Sequence, residues 1–145
     1  MATEKRIALI LTGRQFEGEA DAAISPGMAC VLSADGNYDP WGGSANGEND
    51  EVLIALEDAL QAKTIDDAYA DGDQLFMCAP LPGDVVLVLV KDGESVAVGD
   101  KLIRENNSNS GLYIKTTGSP ETEDFKALEA CAPSGSNKLC KARRI

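Results

Sequence analysis

The chain has 145 residues, 43% of them hydrophobic, which suits one domain that buries a core without metals or disulfides. Thirteen Lys and Arg stand against 24 Asp and Glu, and the net charge of −11 argues against a nucleic-acid-binding groove. Histidine is absent, so the commonest catalytic base is missing. No apolar run approaches the roughly 18 residues that span a bilayer, so no membrane partner is expected.

The first 24 residues contain one short apolar run and no similar segment nearby for it to pair with. The run is shorter than the roughly 7–15 residues of a secretory signal, so we expect synthesis in a cytoplasm without export. We interpret residues 1–24 as an extended N-terminal arm that becomes ordered on a partner, with an ordinary first strand of the fold as the alternative. The residues expected to contact the partner are Ile7, Leu9, Ile10 and Leu11.

Residues 25–145 are predicted to form a single, mainly β domain, a small β-barrel or sandwich with at most one or two short helical turns. Turn residues recur about every ten positions between runs rich in Val, Ile and Leu. Residues 34–50 look like a loop insertion, and Val52–Ala62 fits a strand or a helix, with the strand favoured by its β surroundings. The predicted strands are Met28–Ser33, Glu51–Glu57, Gln74–Ala79, Asp84–Lys91, Glu94–Val98, Lys101–Arg104, Leu112–Lys115, Phe125–Cys131 and Lys138–Arg143.

The clearest local signal is the run Val85–Val90, followed by Asp92-Gly93 and a second β-forming run that ends at Val98. Asp-Gly between β-formers favours a type I′ hairpin turn. One face of this hairpin would carry three valines that need a cover, either from another layer of the domain or from another chain. We favour the second alternative, in which another copy of this chain covers the valines. The three residues are Val86, Val88 and Val90.

Motifs that carry chemistry are missing. No nucleophile elbow, P-loop or dinucleotide-binding glycine motif is present, and without histidine a Ser-His-Asp triad is excluded. The segment Asp35–Asp39 matches the first ligand positions of an EF-hand loop, but Pro40 stands where the turn needs glycine and Asn46 where a bidentate glutamate belongs. Gly-Asp pairs such as Gly72-Asp73 fit turns with glycine at positive φ and aspartate capping the backbone. We expect no enzyme activity, no metal and no cofactor.

None of the four cysteines forms a C-x-x-C pair, and three lie in apolar, strand-like runs where a thiol behaves as a small hydrophobic group. We interpret them as reduced structural residues, with a disulfide between the last two as the alternative. The four are Cys30, Cys78, Cys131 and Cys140.

Charge is unevenly distributed along the chain. Residues 17–100 hold eighteen acidic residues against Lys63 and Lys91, whereas residues 129–145 hold four basic residues against Glu129. The basic termini of the chain could dock on acidic surfaces of neighbouring proteins, or their charges could simply be solvated. On the first interpretation, Arg143 and Arg144 contact the partner.

Two families resemble parts of this sequence. Gly83–Ile103 is similar to the strand–turn–strand half of biotinyl and lipoyl carrier domains, but no lysine follows before Lys115, so the residue that a carrier modifies is missing. The order of motifs over most of the chain resembles the head decoration (cement) proteins of tailed bacteriophages. Those motifs are Ile24-x-Pro-Gly-Met28, Ile54–Asp58, Lys63–Asp73 with its DDAYADGD segment, Pro82-Gly-Asp84, Val98-Gly-Asp-Lys-Leu102, Gly111-Leu, Ala127–Glu129 and Arg143–Ile145.

The resemblance to decoration proteins implies a small β-barrel, usually trimeric, on the outer surface of a virion, where it clasps neighbouring major capsid subunits. It implies no catalytic residues. A cement protein gains strength from many modest contacts made at once, and it needs no contact with nucleic acid. The competing interpretation is a stand-alone, lectin-like β-barrel that binds a ligand.

Overall fold

The computed structural model of the chain describes residues 5–42, 51–105, 110–116 and 123–145. The fold is mainly β, as the sequence predicts, and within these ranges the helical structure is one 3₁₀ turn at Ala59–Gln61. The strands are β1 (Ala8–Ile10), β2 (Arg14–Glu19), β3 (Ala29–Leu32), β4 (Tyr38–Pro40), β5 (Leu53–Ala55), β6 (Gln74–Ala79), β7 (Val85–Val90), β8 (Lys101–Arg104), β9 (Tyr113–Lys115), β10 (Phe125–Ala127) and β11 (Lys138–Arg144).

Five strands close into a small barrel. The first sheet has the order β1-β7-β11-β10-β8-β9, and β9 also pairs with β7 through a parallel bridge between Val90 and Tyr113. The strands β7, β11, β10, β8 and β9 therefore form the ring, and β1 pairs with β7 at Val85 and Val86, on the edge that β9 meets at Val90. The longest ladder in the ring joins β7 to β11 in antiparallel register, from Val85–Arg143 to Val90–Lys138.

The second sheet is antiparallel, with the order β2-β6-β5-β3-β4, and packs against the barrel. The main core joins the two units: Val88 and Phe125 of the barrel belong to the same buried cluster as Ile54 and Cys78 of the second sheet. A smaller cluster, which includes Ile24, Tyr69, Leu75 and Met77, buries the opposite face of the second sheet. Both faces of the second sheet are thus covered at its centre, which explains the continuous apolar runs of β3, β5 and β6.

Local signals predicted several strands well. Gln74–Ala79 and Lys101–Arg104 match β6 and β8 residue for residue, and the ambiguous stretch after Val52 is the strand β5. Within the predicted loop 34–50, Tyr38–Pro40 pairs with β3 as β4, whereas residues 43–50, including Asn46, lie outside the described residues.

Three copies of one turn confirm the interpretation of the Gly-Asp pairs. In each, the glycine has a φ between 89° and 97°, a region that other residues avoid. The aspartate amide donates to the carbonyl of the first turn residue, at 2.9–3.1 Å, and its carboxylate accepts from that residue's amide at 2.8–2.9 Å. The turns are Ala70–Asp73, Leu81–Asp84 and Ala97–Asp100.

The hairpin predicted after Val90 is wrong. Gly93 has a φ of 92°, but Asp92 does not share the positive φ that a type I′ turn requires at both positions. Val96 instead makes an isolated bridge with Cys131. The six-residue ladder with β11 occupies one edge of β7, and β1 and β9 pair with the other, so neither edge is left for the hairpin.

The predicted N-terminal arm is also wrong for residues 5–24. β1 pairs with β7, β2 pairs with β6 over six residue pairs, and the side chain of Ile7 is fully buried. The alternative, a first strand of the fold, is the one the structure supports. The physical reason is that β6 and β7 are apolar strands, each with an edge that its other partners leave open at least in part, and β2 and β1 cover these edges.

The three valines predicted to bind another chain are core residues. Val86, Val88 and Val90 are all fully buried within one chain, in the cluster shared with the second sheet. Their cover comes from the same chain. They are therefore not available as a trimer interface.

Candidate interaction surface

Three cations lie side by side on the outside of the barrel. Lys101, Lys126 and Arg143 are direct cross-strand partners on β8, β10 and β11, and all three are exposed. Their neighbours along each strand, such as Leu102 and Phe125, point into the barrel and are fully buried. Adjacent strands lie about 4.8 Å apart, so the row spans about 10 Å. We call these three residues the basic row.

The charges of the basic row are only partly compensated. Lys101 forms an ion pair with Glu123 at 2.9 Å. Among the described residues, neither Lys126 nor Arg143 has a carboxylate within ion-pair distance. Like charges directly opposite each other destabilise a sheet. The basic row is therefore a repulsive arrangement of charge that the fold does not require.

Exposed apolar side chains flank the basic row at one end. Ile10 and Arg143 are the two cross-strand partners of Val85, so they lie on either side of it. Leu81 begins the turn that leads into β7, and Ile145 directly follows β11, which places both at the same end of the barrel. Ile10, Leu81 and Ile145 are 58%, 51% and 45% exposed. Apolar side chains bordered by charge are a common composition of protein interfaces.

The buried carboxylate of Asp84 holds this end of the barrel together. It accepts hydrogen bonds from the Thr12 amide at 2.9 Å and hydroxyl at 2.6 Å, from the Gly13 amide at 3.0 Å and from the Leu81 amide at 2.9 Å. Burial opposes ionisation of Asp84, but these donors outweigh it and hold its pKa below the ordinary value. The connection between β1 and β2 is thus fixed to the start of β7.

Arg104, Asp124 and Arg144 form a second polar cluster. The Arg104 Nε donates to Asp124 at 2.8 Å, and the guanidinium of Arg104 stacks over the Trp41 ring at 4.0 Å. Arg144 donates to the Asp124 carbonyl at 3.0 Å and lies over the ring of Phe125. Burial raises the pKa of Asp124 even though both arginines act in the opposite direction. These side chains stabilise the fold from within.

The structure separates the residues that the sequence grouped as partner-binding. Ile7 is fully buried, and Leu9 and Leu11 are partly buried against the main core. Arg144 is half-buried and donates to the Asp124 carbonyl, and its role in docking stays a prediction. Ile10 and Arg143 remain exposed, on either side of Val85.

Sequence reasoning missed Lys101 and Lys126. Both strands that carry them were predicted, but their adjacency depends on the strand order β11-β10-β8, which no local pattern encodes.

The four cysteines are all buried and free. Their burial fits structural residues, and their reduced state stays a prediction. Burial raises the pKa of each thiol, to about 12 for Cys78.

Two features are absent from the described ranges. No group of three or more Cys, Asp or Glu side chains there is arranged to hold a metal ion. No helix in those ranges has the length and hydrophobicity needed to cross a membrane.

The fold is that of a small β-barrel with a flanking antiparallel sheet. Among solved structures it is similar to the N base of the head fiber gp8.5 of bacteriophage phi29, with a TM-score of 0.57 and 15% sequence identity. The match covers 91% of this chain and 93% of that one. No protein-family model matches the chain, and no curated protein matches it. At 15% identity the similarity shows the fold, and that neighbour belongs to a phage head, the setting of the family that the sequence resembles.

Proposed function

We propose that this chain is a structural protein of a tailed-phage head, bound to the outer surface of the shell and bridging major capsid subunits. The observation that carries the proposal is the fold similarity to the phi29 head fiber base over nearly the whole of both chains. The motif order in the sequence, from Ile24 to Ile145, independently resembles head decoration proteins.

The surface of the domain supports a binding role of this kind. The basic row and the exposed side chains of Ile10, Leu81 and Ile145 provide a mixed charged and apolar surface at one end of the barrel. The net charge of −11 disfavours binding to the packaged genome. We propose that no catalytic step, cofactor or metal is involved.

We further propose that the protein acts as a homotrimer on the shell, with the major capsid protein as its partner. Since the three core valines cannot form the trimer interface, exposed residues must do so. Repetition of one modest contact over three subunits would multiply the affinity for the shell.

A re-addition experiment tests the function. Heads of the phage that encodes the chain are prepared from a strain with the gene interrupted, and the purified protein is added and sedimented with them. We expect saturable binding with many copies per head and increased resistance of the heads to heat. A protein that does not sediment with heads but is retained on a glycan column would refute the proposal in favour of the lectin-like interpretation.

A further inference from the structure

We propose that the basic row, with Ile10 and its apolar neighbours, is the surface that contacts the head, and that it binds a carboxylate-rich protein surface there. The inference rests on the proposed function and adds to it the contact residues and the chemistry of the partner. Its first support is the arrangement itself: three adjacent strands place Lys101, Lys126 and Arg143 directly opposite one another.

Placing like charges in register costs stability, and a domain rich in acidic residues could easily compensate them. Elsewhere on the same barrel such compensation is present. Lys115 pairs with Asp100 at 2.9 Å, and Lys91 pairs with Glu105. Lys126 and Arg143 are exposed and lack an ion pair among the described residues. Carboxylates supplied by a partner would relieve the repulsion within the basic row, and this would favour binding.

The size and surroundings of the row favour a protein over a nucleic acid. Duplex DNA carries one negative charge per about 1.7 Å of its axis, and three cations over about 10 Å, on a chain with a net charge of −11, would neutralise few of them. The side chains of Ile10, Leu81 and Ile145 offer nothing to a phosphate backbone, whereas an apolar patch next to charge suits a protein interface.

Charge reversal at the centre of the row gives a variant that should remain folded. Lys126→Glu places a carboxylate between Lys101 and Arg143, which converts two repulsive cross-strand pairs into attractive ones. The thermal midpoint should therefore stay the same or rise. Lys138→Glu is the matched control, because Lys138 is an exposed cation on β11 beside Val90, at the far end of that strand from Arg143.

Zero-length carbodiimide coupling identifies the partner of the row, since it joins an amine only to a carboxylate in direct contact. The reagent is applied to heads carrying the protein, and the products are read by mass spectrometry. Coupling of Lys101 to Glu123 within one chain is the internal positive control. We expect Lys126 to couple to an aspartate or glutamate of a head protein. Coupling of Lys126 only to another copy of this chain would overturn the inference.

Binding to deficient heads completes the test. We expect Lys126→Glu to weaken binding by about ten-fold or more and Lys138→Glu to change it less than two-fold. If the wild type binds heads and Lys126→Glu binds equally well, the inference fails while the proposed function stands. If the wild type does not bind heads, the proposed function fails and the inference fails with it. Binding of duplex DNA by the wild type that Lys126→Glu abolishes would overturn the inference in favour of a nucleic acid.

Discussion

Removal of the Asp84 carboxylate should destabilise the domain strongly. Asp84 is 1% exposed and accepts four hydrogen bonds, three of them from backbone amides. In Asp84→Ala the amides of Thr12, Gly13 and Leu81 lose their acceptor. Hydrogen bonds to a charged group are worth about 1.5–3 kcal/mol each, and water can reach some of these donors, so we expect a total loss of about 3–5 kcal/mol.

The assay is thermal and urea unfolding followed by circular dichroism, with a decrease of about 10 °C or more in the thermal midpoint. Asp84→Asn retains one acceptor oxygen and should lose about half as much. Because the folded-state pKa of Asp84 lies below the ordinary 3.8, its carboxylate stabilises the fold above that pH. This contribution is lost as the pH falls through the folded-state pKa, so the gap between wild type and Asp84→Asn should narrow below about pH 4.

Asp73→Asn is the matched control for this prediction. Asp73 ends the same kind of turn, but its carboxylate accepts only the Ala70 amide at 2.8 Å, and that turn is exposed. Its loss should cost less than about 1 kcal/mol. Equal costs for Asp73→Asn and Asp84→Asn would refute the reasoning, because they would show that the contacts of Asp84 to Thr12 and Gly13 contribute nothing.

The remaining predictions concern the interior of the domain. Arg104→Met leaves the carboxylate of Asp124 buried without its ion pair and should cost about 3–5 kcal/mol in urea unfolding, while Arg143→Met, on the exposed row, should stay within about 0.5 kcal/mol. In Gly13→Ala the added Cβ would overlap the carbonyl oxygen of Ala79, so it should lower the thermal midpoint far more than Gly36→Ala, where there is open space and only the positive φ is strained. A thiol-specific disulfide reagent should react slowly with the native protein because the cysteines are buried, and should titrate four thiols in denaturant; two missing thiols would indicate a disulfide between Cys131 and Cys140.

The strands that could be predicted are those whose own residues identify them. β6 and β8 are apolar runs bounded by turn residues, and both were found residue for residue. β2, with the sequence Arg-Gln-Phe-Glu-Gly-Glu, has little β-forming character of its own, and it is a strand because β6 offers it six partners. The strand conformation of β2 therefore depends on tertiary pairing, which the local sequence does not encode. For that reason the sequence pattern suggested an arm.

The candidate surface could likewise be predicted only in part. Alternation along β8, β10 and β11 indicates which residues face outward, but adjacency of Lys101, Lys126 and Arg143 requires the order of strands far apart in the chain. The hairpin signal at Asp92-Gly93 failed for a related reason, because strands distant in the sequence pair with both edges of β7. Local turn chemistry was reliable for the three Gly-Asp turns, whose hydrogen bonds lie within four residues.

The most direct test of the central proposal is a pair of cryo-electron microscopy reconstructions of heads with and without this protein. We expect extra density on the outer surface of the shell that fits the barrel and its flanking sheet, arranged around threefold positions, with β8, β10 and β11 turned toward the capsid. Reconstructions that show no difference, or extra density only inside the shell, would contradict the assignment as an outer structural protein of the head.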